Sequence, residues 1–125
     1  MRTVIAVILS VLLGIFCFLS QHNLTSVSAN MQQQTEQAEN LIEKGDISQA
    51  VKRIKDMENE WVSEESRLAI YINHDLLEDI GVSIASLRGL AKVEDKSLFY
   101  SAAEELKTKF IHIKDINSLS YRNFI

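Results

Sequence analysis

The strongest constraint on this chain is an uncharged, apolar run close to its N-terminus. Residues 4–19 read VIAVILSVLLGIFCFL, and residues 3–34 contain no Asp, Glu, Lys or Arg. A helix that crosses a bilayer needs about 20 mostly apolar residues, because the hydrocarbon core is about 30 Å thick and a helix rises about 1.5 Å per residue. The sequence therefore predicts a transmembrane signal anchor over residues 1–24.

The charges on either side of the anchor predict its orientation. Arg2 and the terminal amino group are the only cations on the N-terminal side, and the first charges beyond the run are Glu36 and Glu39. The positive-inside rule then places the N-terminus in the cytoplasm. We expect a single-pass protein of the cell membrane with an extracytoplasmic C-terminal domain. The competing interpretation is a signal peptide cleaved after Ala29, which would release a secreted domain.

The composition of the chain favours helices and excludes some partners. Its 125 residues include no proline and four glycines, whereas a sheet protein needs many turn residues. The formal net charge of −4 argues against nucleic acid as a partner. The one cysteine, Cys17, lies in the predicted anchor, so we expect no disulfide framework.

Capping residues predict where the helices after the anchor begin and end. Gly45 is a typical residue to follow a helix, and Asp46 can cap the next one through its carboxylate. Asn73 or Asp75 marks an expected break, and Ser97 is the predicted cap of the last helix.

Apolar residues at helical spacing predict an antiparallel bundle of three to four helices. The number depends on whether Ser63 caps a new helix or lies inside a longer one. The polar, nearly uncharged residues 25–37 are interpreted as a juxtamembrane stalk that continues the anchor helix; a disordered tether over residues 23–30 is the alternative. Residues 38–125 form the predicted extracytoplasmic bundle. The fold class is all-α.

The densest polar cluster is the segment HDLLED at residues 74–79. His74 and Glu78 are one helical turn apart and are weak candidates for one side of a metal site, which would need ligands from another helix. A solvated surface is the simpler interpretation. The sequence contains no phosphate-binding loop, nucleophile motif or zinc-hydrolase motif. We therefore expect no catalytic residues, no cofactor and no enzyme activity.

Aromatic and apolar residues supply the candidates for partner binding. Trp61 lies on an apolar helical stripe, so core packing is its default role and a binding anchor is the alternative, because Trp is common at interface hot spots. The chain ends in an apolar tail, and Tyr121, Phe124 and Ile125 are candidates for contact with a partner or with a second copy of the chain.

The chain resembles a family of small, N-terminally anchored helical proteins of Gram-positive bacteria, the DUF4363 family. The resemblance is carried by Trp61, the His74–Asp75 pair and the ending Asn123-Phe124-Ile125, and it covers most of the chain, anchor included. Tyr121 and Arg122 stand where Leu-Lys is more usual. The resemblance implies a non-enzymatic accessory protein that works beside a membrane protein, and it implies no mechanism.

Two functions from different classes follow. The first is an interaction module, anchored in the bilayer and binding another membrane or envelope protein. The second is an extracytoplasmic sensor of a small ligand or metal ion, with His74, Asp75, Glu78 and Asp79 in its site.

Overall fold

A computed structural model describes the chain apart from residues 71, 124 and 125, and it describes the side chains of the remaining residues except 20–23 and 116–123. Four helices account for nearly all of the described residues: α1 (Arg2–Glu43), α2 (Ile47–Leu68), α3 (His74–Lys92) and α4 (Lys96–Asn123). The described part of the chain contains no strand. The predicted all-α bundle is therefore confirmed.

The helices form a closed ring of neighbours. Each packs against the next along the chain, and α4 packs against α1. Because the connections between successive helices are short, neighbouring helices run antiparallel. The second half of α1 thus supplies one helix of a four-helix bundle, while its first half extends beyond the bundle.

The polar segment expected as a stalk belongs to the bundle. Residues 25–37 continue the apolar half of α1 as helix, as expected, but one face of them is buried, with Val27, Ser28 and Met31 in the core. Apolar residues recur there every three to four positions between polar ones, which is the pattern of a helix with one packed face. Among the described side chains, packing into the core extends back to Leu24, well before residue 38.

The core is a single cluster of large apolar side chains from all four helices. Trp61 and Phe110 meet edge to face near its centre, with ring centroids 5.7 Å apart. Gly81 of α3 faces the Trp61 ring, and a Cβ atom there would lie 3.6 Å from it. Among the described residues, the largest fully buried side chains are Trp61, Phe99, Phe110, Leu24, Met31, Ile42, Ile54, Met57, Leu68, Leu77, Ile80 and Ile84.

Two of the predicted helix boundaries are confirmed. Gly45 follows α1 with a φ of 81°, a conformation that glycine adopts without a steric cost, and the Asp46 carboxylate accepts a hydrogen bond from the backbone N–H of Gln49. Asn73 caps α3 by accepting from the N–H of Asp75.

The start of α4 differs from the prediction, and the structure decides between the two alternatives for Ser63. α4 begins at Lys96, and its cap is Asp95, whose carboxylate accepts from the N–H of Leu98; the expectation that Ser97 is the cap is wrong. Asp caps a helix as well as Ser, so the residue types alone did not separate the two positions. Ser63 lies inside the continuous helix α2.

Candidate functional site

The first half of α1 is apolar on every side, and nearly all of its described side chains are exposed, with Cys17 half-buried near its end. Its most apolar 18-residue window has a mean hydropathy of 2.7, and none of that window is buried. Within the described part of the chain, this is the one helix long and apolar enough to cross a membrane. Ser10 donates its hydroxyl hydrogen to the backbone carbonyl of Ala6 at 2.9 Å, so this polar group is satisfied within the helix.

An open polar cleft lies between α1 and α4, toward the C-terminal end of α1. The cleft has a volume of about 320 Å³. Tyr100 of α4 closes one end by donating its hydroxyl hydrogen to the backbone carbonyl of Glu39 at 3.4 Å. The residues that line the cleft are Glu36, Glu39, Asn40, Glu43, Tyr100 and Lys107.

Lys107 holds the two helices together at this cleft. Its ammonium lies 2.8 Å from a carboxylate oxygen of Glu39 on α1 and 2.6 Å from one of Glu104 on its own helix. The side chains of Lys107 and Glu39 are mostly buried, whereas Glu104 is exposed. Lys107 thus forms ion pairs with one mostly buried carboxylate and one exposed carboxylate.

The pKa values reflect that difference. Burial raises the pKa of Glu39 above its ordinary value and outweighs the opposite effect of Lys107. The hydrogen bond from Lys107 lowers the pKa of Glu104. Burial lowers the pKa of Lys107, but its hydrogen bonds to Glu104 and Glu39 and their charges outweigh burial and raise it.

Burial and the acidic residues of the cleft also affect the pKa of Tyr100. Burial raises the pKa of its phenol, and the charges of Glu43 and Glu39 raise it further. The cleft therefore disfavours any additional negative charge. Its electrostatics suit a cationic group such as a lysine or arginine side chain.

The predicted metal candidates do not form a coordination site among the described residues. The Nε2 atom of His74 lies 4.0 Å from a carboxylate oxygen of Glu78, and the two side chains are 75% and 67% exposed. Asp79 is paired with Lys109 of α4 at 3.1 Å. No group of three or more His, Cys, Asp or Glu side chains in the described region is arranged to hold a metal ion.

Trp61 lies in the core rather than on the surface. Its side chain is 1% exposed, and its indole N–H donates to the backbone carbonyl of Leu77 at 3.2 Å. A partner could reach it only if the bundle opened. The burial favours the packing role over the role as a binding anchor.

The other partner-binding candidates lie outside what the structure describes. Phe124 and Ile125 fall beyond the described residues, and for Tyr121 the structure gives the helical backbone but not the side chain. Their binding role stays a prediction.

The cleft is not among the sites predicted from the sequence. A signal for it exists, because Glu36, Glu39 and Glu43 recur at helical spacing on one face of α1, and Tyr100 and Lys107 are two turns apart on α4. Their pairing across two helices that are far apart in sequence could not be read from either segment alone.

Comparison with protein families identifies the relationship of the chain. The family model described as Domain of unknown function (DUF4363) matches residues 18–124. The chain belongs to the DUF4363 family. The matched region contains all of α2, α3 and α4 and the packed half of α1, and it leaves out residues 1–17 and 125. No curated protein and no solved structure gives a significant match.

Membership in the DUF4363 family confirms the resemblance drawn from the sequence. The match begins near the end of the apolar run, so DUF4363 describes the bundle and only the last part of the predicted anchor. The family description names no activity or partner. Any function assigned to this chain must therefore come from its own residues.

Proposed function

We propose that this DUF4363 protein is a single-pass, non-enzymatic interaction module whose extracytoplasmic bundle binds another membrane or envelope protein. The observation that carries the proposal is the unbroken helix α1, which joins an apolar half whose most apolar window is unburied to a half packed in the bundle. A helix that is apolar all round and unburied suits a lipid environment. The bundle is then held at a fixed distance from the bilayer.

The surface of the bundle supports protein binding better than capture of a small ligand. Small-molecule sites bury most of their ligand and have largely apolar walls. The cleft between α1 and α4 is open and lined chiefly by charged and polar groups. Such a cleft fits a basic side chain presented by a partner. That side chain would form an ion pair with the exposed carboxylate of Glu43.

The C-terminal end of α4 offers a second contact region. Because α4 runs antiparallel to α1, its end at Asn123 lies on the side of the bundle that faces the apolar half of α1. A membrane-embedded partner could contact that end directly. The predicted candidates Tyr121, Phe124 and Ile125 belong to this part of the chain.

Photo-crosslinking in native membranes tests the proposal. We would place a photoreactive phenylalanine at position 40 beside the cleft, at position 121 near the end of α4, and at position 55 on the exposed face of α2 as the control. We expect one specific heterologous adduct from position 40 or 121 and none from position 55. Adducts formed only with a second copy would identify self-association instead, and equal labelling from all three positions would contradict a defined binding surface.

The sensor function makes a different prediction. If His74 and Glu78 bind a divalent metal, the metal should raise the melting temperature of the purified protein, and His74→Ala should abolish the rise. We expect no shift with either protein, because both side chains are exposed and 4.0 Å apart. A His74-dependent shift would favour the sensor over the interaction module.

A further inference from the structure

We propose that the turn that follows α2, with the exposed side chain of Ile70, is a second membrane contact that rests in the headgroup layer beside α1. The inference relies on the proposed anchoring and goes beyond it. It states that the bundle docks directly on the bilayer instead of standing above it on a stalk. The occupant of this surface is the lipid bilayer that holds the first half of α1.

The contacts between α1 and α2 set the relative height of the two helices. The amide of Asn30 donates to the Glu60 carboxylate at 2.9 Å, and the Thr35 hydroxyl lies 3.6 Å from the sulfur of Met57. The helices are antiparallel, and each rises about 1.5 Å per residue. Counting equal numbers of residues along both helices from these contacts brings Leu68, the last residue of α2, level with residues 22–24 of α1, and Ile70, two residues later, level with residues 20–22.

That level is the end of the apolar run. Leu19 is the last residue of the run, so Ile70 lies within about 5 Å of its height along the helix axis. The headgroup layer beyond the hydrocarbon core is about 5–8 Å thick on each side. The geometry therefore puts Ile70 inside that layer.

The length of the run brings the bundle closer to the lipid. Residues 4–19 extend for about 24 Å as a helix, which is less than the roughly 30 Å of a typical hydrocarbon core. A short apolar segment draws its flanking residues toward the core or thins the bilayer locally. Because packing into the core extends back at least to Leu24, no more than residues 20–23 separate the apolar run from the bundle.

The side chains at the end of α2 and in the turn after it suit this position. Leu68 is fully buried and fixes the end of the helix to the core, while Ile70 is 72% exposed. Val93, in the connection between α3 and α4, is similarly exposed at 68%, but it lies at the opposite end of the bundle. Exposure alone does not distinguish the two residues, whereas their distance from the anchor does. Val93 is thus a matched control.

Depth-dependent fluorescence quenching tests the proposal on the full chain. An environment-sensitive nitrobenzoxadiazole label is attached to the native Cys17, or to a single cysteine in Cys17→Ala/Ile70→Cys or Cys17→Ala/Val93→Cys. The proteins are reconstituted in phosphatidylcholine vesicles with or without lipids that carry a nitroxide near the headgroup. We expect a blue-shifted emission at position 70 and quenching several-fold stronger there than at position 93.

The label at Cys17 separates the two hypotheses. Quenching at Cys17 without quenching at position 70 would overturn the docked bundle and leave the anchor intact. Absence of quenching at Cys17, with protein that does not float with the vesicles, would overturn the anchoring itself. Equal quenching at positions 70 and 93 would show that the bundle lies flat on the surface, which also contradicts the proposal.

Discussion

The two halves of α1 share one continuous backbone helix and have opposite surroundings. In the first half, residues 4–19, apolar side chains point in all directions and none of the most apolar window is buried. In the second half, apolar residues occupy one face and are buried against α2 and α4, namely Leu24, Val27, Met31, Ala38 and Ile42. One continuous helix thus combines a half that is apolar on all sides with a half that has a single packed face.

The distribution of apolar side chains around the helix determines which surroundings each half needs. A helix with one apolar face needs a protein surface to cover it, and α2 and α4 supply that surface to the second half. A helix that is apolar all round would need cover on every side. None of the most apolar window of the first half is buried within the described chain, and a bilayer would cover it evenly.

Two charges in the first half give the largest expected effect. In the Leu9→Lys/Leu12→Lys variant, each lysine near the centre of a spanning helix costs about 2.5–3.5 kcal/mol on insertion. We expect the variant to leave the membrane fraction after alkaline extraction while its bundle keeps a cooperative thermal transition. Retention of both lysines in the membrane would contradict the assignment of this half to the lipid.

A truncation in the second half should have the opposite effect. Met31 is fully buried, and Met31→Ala should lower the free energy of unfolding of the bundle by about 2–5 kcal/mol through lost contacts and a cavity. Leu13→Ala is the control, because Leu13 is exposed beyond the bundle. Denaturant titration of both proteins in detergent should show a change for position 31 alone, with both variants still in the membrane fraction.

A smaller effect distinguishes two serines on the same helix. The hydroxyl of Ser28 donates across to the backbone carbonyl of Phe110 on α4 at 2.9 Å and is fully buried, whereas Ser10 donates to its own helix. Ser28→Ala should lower the free energy of unfolding by about 0.5–1.5 kcal/mol. Ser10→Ala should leave it unchanged. Equal effects in denaturant titrations would mean that the bond between helices adds nothing.

The sequence predicted the elements of this fold better than their assembly. The apolar run, the caps at Asp46 and Asn73 and the all-α class follow from local spacing and side-chain chemistry. The extent of the bundle did not, because residues 25–37 contain many Gln, Ser and Thr residues and few apolar ones. Ser28 and Thr35 are nevertheless buried, since each hydroxyl donates to a backbone carbonyl.

The cleft between α1 and α4 also depends on assembly that local sequence patterns do not predict. The acids of α1 and the residues Tyr100 and Lys107 of α4 could each be seen as surface positions of separate helices. Only the pairing of α1 with α4 makes them one cleft. The sequence-based candidates were instead clusters of neighbours along the chain, such as His74 and Glu78, which remain on an exposed surface.

The smallest predicted effect concerns alkaline pH at the cleft. Lys107 has a raised pKa in the folded chain, so its contribution to stability is complete below the ordinary lysine pKa of 10.5 and is lost as the pH rises through the folded value. The raised pKa of Tyr100 acts in the same direction, because the unfolded chain releases the phenol proton first, near pH 10.0. The free energy of unfolding should therefore fall as the pH rises from about 10, the ordinary range of these two groups, into the range of their raised pKa values. Lys107→Gln should flatten this decline, while Lys52→Gln on the exposed face of α2 should not. Parallel declines in the two variants, measured by denaturant titration across this range, would show that Lys107 does not couple α1 to α4.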